Sequence, residues 1–405
     1  MGKASILMVI GFSTALLMIG SHISKVSNSA MDNYLSYYRS TTAREIAAAG
    51  TNMAARALQQ NMYWKAGFPK KSFMGGSFQT TVTVLDSSQV KVVTTSTYMD
   101  ATALISVLLQ RSCFSRFCYY SVSEMGRWWY GGDTVWGPMH TQDYLSVMSD
   151  AFWGDPVFMD RATSLKGLKK SKKTNTPRFL GGFESGVNIP MPIDLIPLKT
   201  AANPANGGLL LSGGDSVCIM FLANGKFKLK QGATNQWGGG LRNPPTNGVI
   251  YVDGANVRIS GTISGRLTVG AGGTTGSTKQ GNIYIDDNVV LNNDPRKTTS
   301  TDMLGLVSEN NVIIADNVAN KKDIQLQASI FCRSGSFTAQ NYSTIPLTGT
   351  IYILGGIINK VRGAVGTADP DHGYMKSYKY DARFLYDAPP FFPMTGNYEV
   401  VSWFE

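Results

Sequence analysis

Charge and histidine are scarce in this chain, and each scarcity narrows the class of protein. Only 16% of its 405 residues are charged and 3 are histidine, whereas glycine occurs 43 times. Low charge with abundant Gly, Asn, Thr and Ser favours strands and turns over helical bundles or disorder. The four cysteines, Cys113, Cys118, Cys218 and Cys332, include no C-x-x-C pair. With so few histidines no zinc site is expected, nor any metal or cofactor. Three disulfide pairings are open; Cys113–Cys118 with Cys218–Cys332 is expected in an oxidising compartment, and free buried thiols are the alternative. No G-x-S-x-G, P-loop or dinucleotide fingerprint sits at a strand-to-helix junction, so no catalytic residue is expected and the chain does not read as an enzyme.

The remaining chemistry is sparse. His22 lies beside an apolar segment, while His140 sits in Gly137-Pro-Met-His-Thr-Gln-Asp143, near Asp133 and Asp143. A lone turn histidine more often makes a structural hydrogen bond than a metal bond. Asp369-Pro-Asp-His-Gly373 lacks the ligand spacing of a calcium loop. The net charge of +10 serves solubility, or favours acidic partners such as nucleic acid, anionic lipid or acidic polysaccharide. The run Lys166, Lys169, Lys170, Lys172 and Lys173 reads as an exposed basic loop that could meet DNA or an anionic glycan.

One segment stands apart. Residues 4–20, ASILMVIGFSTALLMIG, carry no charge and follow a single basic residue, Lys3. About 17 apolar residues suffice to cross a bilayer core. A secretory signal looks similar, but no small-x-small cleavage site follows Gly20. From Ser21 to Met62 there is no proline. Apolar positions recur at helical spacing, first Ile23, Val26, Ala30, Tyr34 and Tyr37, then Ile46, Ala49, Met53 and Ala57. The pattern predicts one continuous helix over residues 3–62, roughly 90 Å long. It is hydrophobic all round over 4–20 and amphipathic over 21–62.

This segment, with the alanine-rich stretch Thr42-Ala43-Arg44-Glu45-Ile46-Ala47-Ala48-Ala49-Gly50, resembles the long first helix of type IV pilins and minor pilins. The fifth position is Ser5, where major pilins carry glutamate, and the first acid is Asp32. The resemblance implies a structural subunit of a pilus-like extracellular filament, a helical homo-oligomer. It further implies that the chain is anchored in the inner membrane before assembly and handled by a pilus assembly machinery. The residues expected in the filament core are Ile6, Leu7, Val9, Ile10, Phe12, Leu16, Leu17, Ile19, Ile23 and Val26. A membrane-anchored adhesin-like module that binds glycan or DNA is the second reading.

The rest reads as β structure, making the whole α+β. Alternation over Phe78–Val84, Val90–Thr95 and Ala103–Leu109, with a turn at Asp86-Ser-Ser, predicts an antiparallel meander packed on the helix. Residues 111–180 are rich in aromatics, read mainly as core and otherwise as a sugar platform. From Gly248 to Gly366 short β-branched runs recur: Ile250-Tyr-Val-Asp, Ile283-Tyr-Ile-Asp, Gly305-Leu-Val and Ile351-Tyr-Ile. Such repeats with Asn, Asp and Gly at the corners favour a β-solenoid over a sandwich. Parallel β-helices also host polysaccharide-acting enzymes, which need clustered carboxylates. Asp286, Asp287, Asp294, Glu309 and Asp316 are the candidates here.

The expected divisions are 1–64 for the helix, 65–180 for the pilin-like sheet and aromatic loops, and 181–373 for the solenoid. The aromatic and proline-rich tail, 374–405, is expected to be a strap or cap. Residues 111–405 also resemble an uncharacterised bacterial family found behind pilin-like N-termini. The resemblance rests on Trp136–Thr141, Phe179–Gly186, Leu304–Val307, Gly355–Ile357, Tyr380–Arg383 and Ser402–Glu405. It implies envelope placement and no activity.

Overall fold

The computed structural model describes residues 2–61, 64–85, 89–213, 216–231, 238–297, 299–367, 369 and 371–405. The expected turn at Asp86-Ser-Ser, the last expected helical residue Met62, and Pro370 of the 369–373 motif lie outside them. A long N-terminal helix is followed by a mainly β chain. Two compact units divide it: residues 1–112 with 396–405, and residues 113–395. The expected boundary at 180/181 therefore falls inside the second unit, and the 374–405 tail is shared between the two.

In the first unit, helix α1 (Gly2–Gln60) meets an antiparallel meander of β1 (Phe68–Phe73), β2 (Gly76–Val84), β3 (Gln89–Tyr98) and β4 (Ala101–Cys113). Strand β1 was not foreseen because Pro69 interrupts its pattern. Proline is tolerated there because β1 is the sheet's edge, where no ladder donor is needed on one side. The opposite edge is Met394–Phe404, hydrogen-bonded beside β4. Of the 374–405 tail, Tyr374–Lys379 pairs in parallel with Gly349–Val361 in the second unit and Met394–Phe404 belongs to this sheet.

The buried face of α1 is Ala43, Ile46, Ala47, Gly50, Thr51, Ala54 and Leu58. The expected stripe continued through Ala49, Met53 and Ala57; Met53 is exposed. Small residues displaced it because they let the helix lie close to the sheet. A Cβ on Gly50 would stand 2.6 Å from the Phe78 ring and 2.9 Å from Thr94. In the same seam Thr51 Oγ1 donates to Ala47 O (3.0 Å) and to Thr94 Oγ1 (2.9 Å), and Thr94 lies 3.0 Å from Thr80 Oγ1. These hydroxyls satisfy one another out of water, as buried polar groups must.

The second unit is built on parallel ladders. One runs through ten strands in the register Leu209, Ile250, Val269, Leu306, Ile330, Ile357, Tyr119, Met139, Ala162 and Phe183. Its order is not the order of the chain. The ladder begins in its middle at Tyr119, climbs to Phe183 at one end, restarts at Leu209 at the other, and returns to Ile357 beside its own beginning. Residues Ile250 to Ala162 of this register are all buried in one core. A second ladder aligns Val217, Val257, Ile283, Val312 and Phe337.

The apparent repeat is thus not a structural one, since Ile250 lies on the first ladder and Ile283 on the second. What does repeat is the corner. Asn256 Oδ1 accepts from the N–H and Nδ2 of Asn282, whose Oδ1 accepts from the N–H and Nδ2 of Asn311. Asn311 Oδ1 accepts in turn from Ser336 N.

Two outcomes follow from this packing. Gly50→Val should cost about 1–3 kcal/mol by overpacking, read as faster hydrogen exchange in residues 76–98 with the 249–361 ladders unchanged. Asn282→Ala orphans groups above and below it, at about 1–3 kcal/mol for each buried group left unpaired, and should lower the midpoint of thermal unfolding of the full chain.

Candidate functional site

Helix α1 leaves its first part uncovered: every residue from Gly2 to Tyr38 is exposed. This helix is long and apolar enough to cross a membrane, by length and composition. The ten residues expected in a filament core all lie on it, with exposures from 54% at Ile10 to 73% at Leu17. The expected stripe from Ile23 to Tyr37 is likewise exposed, so the unit's own sheet does not cover it. About 55 Å of helix at 1.5 Å per residue is therefore uncovered, apolar on all sides over residues 4–20 and along one stripe from Ile23 to Tyr37. Exposed apolar surface of this extent marks a membrane or protein contact.

The lysine run is only partly the loop expected of it. Gly167–Lys170 is a strand paired in parallel with Tyr144–Met148. Lys166 is bound to Asp143 at 2.9 Å, and Lys169 Nζ stands 5.5 Å from the centre of the Trp128 ring. Lys170, Lys172 and Lys173 are exposed. The Asp143 carboxyl lies below its ordinary range: its own desolvation raises it, but hydrogen bonds from Lys166, Tyr144 and Glu124 outweigh this.

His140 is fully buried on the outer side of the first ladder, stacked on Tyr120. The Thr163 hydroxyl donates to Met139 O, so its oxygen accepts from Nδ1 of His140 at 2.8 Å. Desolvation lowers this imidazole to about 4. Such a ring is neutral, enclosed and engaged by its neighbours in the stack.

The carboxylates weighed for catalysis are held by separate partners. Asp286 accepts from Arg258 Nε (2.8 Å), Asp294 from Arg296 (2.7 Å), Glu309 from Arg333 Nε (2.7 Å) and Asp316 from Asn341 (3.0 Å). Asp287 faces Lys322 at 3.3 Å. The Arg296 hydrogen bond brings Asp294 down to about 2. Among the described residues no group of three or more His, Cys, Asp or Glu could hold a metal ion.

All four cysteines carry free thiols, so neither expected disulfide forms. Cys218 lies on the second ladder's strand Val217–Phe221 and Cys332 ends the first ladder's strand Ile324–Cys332. Cys113 Sγ–H instead donates to the Pro393 carbonyl at 3.3 Å. Burial raises Cys113 and Cys118 to about 11 and Cys332 to about 12, so these are thiols rather than thiolates at neutral pH.

A cleft of about 340 Å³ opens in the second unit where Tyr119 pairs beside Ile357. Arg362, one of its walls, lies over the Trp129 ring at 4.1 Å and is 2.9 Å from the buried Glu124 carboxylate. Its residues come from 119–136, 337, 357–365 and 376–379. Tryptophan and lysine composition hinted at such a site, but nothing in the linear sequence brought these segments together.

No family model matches the chain, so the uncharacterised family expected for residues 111–405 is not assigned. No curated protein matches it either. Among solved structures, the crystal structure of the competence-associated pilin ComZ from Thermus thermophilus is similar at 11% identity and a TM-score of 0.37. The match covers 90% of this chain and 97% of that one.

The histidine yields a test with a definite sign. A neutral-preferring His140 means the unfolded chain binds more protons between about 4 and 6.5. Its contribution is therefore present above 6.5 and is lost as pH falls toward 4, by on the order of 3 kcal/mol at 1.36 kcal/mol per unit. Urea unfolding across this window should show a steeper loss for the natural chain than for His140→Gln, and equal slopes would contradict the burial argument.

Proposed function

We propose that the chain is a pilin-like structural subunit that polymerises into an extracellular filament through the exposed part of α1. The observation that carries this is the length of α1 with no covering inside its own unit, Gly2 to Tyr38, against a sheet-packed face that begins only at Ala43. A simple anchor needs about 20 apolar residues, whereas here the uncovered helix continues for almost twice that. Copies of the same helix are the occupant that fits: they offer an all-round apolar surface over residues 4–20 and an apolar stripe beyond it, and each large side chain buried contributes about 1.5–3 kcal/mol. Before assembly residues 4–20 would sit in the inner membrane, and a pilus assembly machinery would extract them.

The second unit is read as a β-solenoid displayed on the filament. Its support is the parallel pairing along each ladder and the asparagine corners, since each short strand on a ladder is then satisfied by those above and below. The role is structural rather than catalytic, in keeping with carboxylates that are each tied to a different partner.

Substituting Phe12→Ala together with Leu16→Ala separates filament from anchor. Both changes keep the segment apolar, so a mere anchor stays membrane-bound and unaffected, whereas a filament loses packing and surface fibres become few or short. Electron microscopy of surface material, with density matched to this sequence, is the readout. Fibres that lack this polypeptide, or a full chain found only as a membrane-bound monomer, would sink the proposal.

A further inference from the structure

The cleft beside the Tyr119–Ile357 pairing is more than a gap in packing. Its rim and walls carry Arg362, Lys376 and Lys379 against a single lining acid, Asp133. Neither Lys376 nor Lys379 is in an ion pair among the described residues, and both are exposed. Arg362 is already paired with Glu124, so it is Lys376 and Lys379, without acidic partners, that raise the local concentration of anions.

The aromatic residues narrow the choice of anion. Trp129 is 91% buried and its indole Nε1–H has no hydrogen-bond partner. That donor is closed off from solvent, so the polar contacts in the cleft come from elsewhere. The Asn359 amide and Ser377 are lining groups that suit hydroxyls. One face of each tryptophan ring, by contrast, is taken. Arg362 lies over Trp129, and Lys379 Nζ stands 3.1 Å from the centre of the Trp136 ring. A nucleobase needs an open aromatic face to stack on, and the two cations cover one face of each tryptophan in the cleft. Amide and hydroxyl groups with unpaired ammonium groups instead match a small, oxygen-rich ring bearing a carboxylate. The cleft's volume is at the lower end of ligand sites, about 300–1,000 Å³.

Beyond the rim the surface continues in kind. Gly132, a lining residue, packs under Trp153, which with Phe152 forms an exposed T-shaped pair on the turn after Asp150. The Asp150 carboxylate fixes that turn by accepting from the N–H of Phe152 and of Trp153, both at 2.8 Å. An exposed aromatic pair held rigidly next to a cationic cleft suits the neighbouring units of a sugar chain.

We propose that this cleft binds a carboxylated sugar unit of an acidic polysaccharide, with Lys376 and Lys379 meeting the carboxylate and Ser377 and the Asn359 amide meeting its hydroxyls. The site lies wholly within residues 113–395 and does not depend on assembly through α1.

Isothermal titration of the full chain in detergent micelles tests it with three probes: oligogalacturonate, a neutral galactose oligomer, and single-stranded DNA. The natural chain should bind the first and not the second. Lys376→Ala with Lys379→Ala should weaken oligogalacturonate about tenfold or more, as expected for lost charge-assisted hydrogen bonds. Lys170→Ala with Lys172→Ala, on the separate lysine run, should leave it unchanged. Failure to bind, equal binding of the neutral oligomer, preference for the oligonucleotide, or equal loss in the two lysine pairs would each overturn the assignment.

Discussion

The second unit depends on one non-local pairing, that of Tyr119–Ser123 with Gly349–Val361. Every other step of the first ladder grows by adding the next stretch of chain, whereas this step joins strands more than two hundred residues apart. Several interactions fasten it. Ile357 N–H donates to Cys118 O (3.0 Å) and Arg362 N–H to Ser123 O (2.9 Å). The Arg127 guanidinium reaches Arg362 O, and Arg362 itself meets buried Glu124. Removing one partner of such a pair leaves an uncompensated buried charge, typically worth about 3–5 kcal/mol. Because the chain starts in the middle of the ladder, residues 186–208 must travel from one end to the other. They do so along the ladder's outer face: Ile189 O accepts from Tyr120 Oη, Ile193 O from Arg333, and Leu198 packs with Tyr251. Phe392 packs against Phe331 in the same cluster. The outer face of a parallel ladder is thereby buried like its inner face, as parallel sheets require.

What the sequence made legible was whatever is local. Helix α1 announces itself by composition and by the lack of proline, and three meander strands by alternation. The β-branched runs from 250 to 358 are strands as expected. What was hidden is order. Tyr119 and Ile357 carry no mark that they are neighbours, since a strand's periodicity specifies which face is buried and not which strand it meets. For the same reason the 111–180 segment looked like loops of a pilin head, although Tyr119, Met139 and Ala162 are rungs of the same ladder as Ile330. The similar strings at Ile250 and Ile283 misled because the two ladders want the same β-branched residues at their inward positions. On α1 the error was smaller and more instructive. Hydrophobicity pointed to Met53, but closeness decided the interface, and closeness selects Ala, Gly and Thr.

The two surfaces with functional meaning are encoded in opposite ways. The uncovered part of α1 is legible because so many exposed apolar residues admit few physical explanations. The cleft is illegible because four separate stretches of chain line it. Its position nevertheless follows from the fold. The second ladder stops at Phe337–Ala339, and among the described residues no pairing carries it on to Thr134–Val135, which belongs to a different three-stranded sheet. The first ladder continues through the junction while the second does not, and the space between Phe337 and Thr134 is what remains. Arg362 is bound to both consequences: its main chain and its Glu124 contact fasten the junction, and its guanidinium covers Trp129 at the cleft wall. A change at Arg362 would therefore confound folding with recognition. Lys376 and Lys379 stand free of the junction, so charge at the cleft can be varied there while the ladder that creates it is left intact.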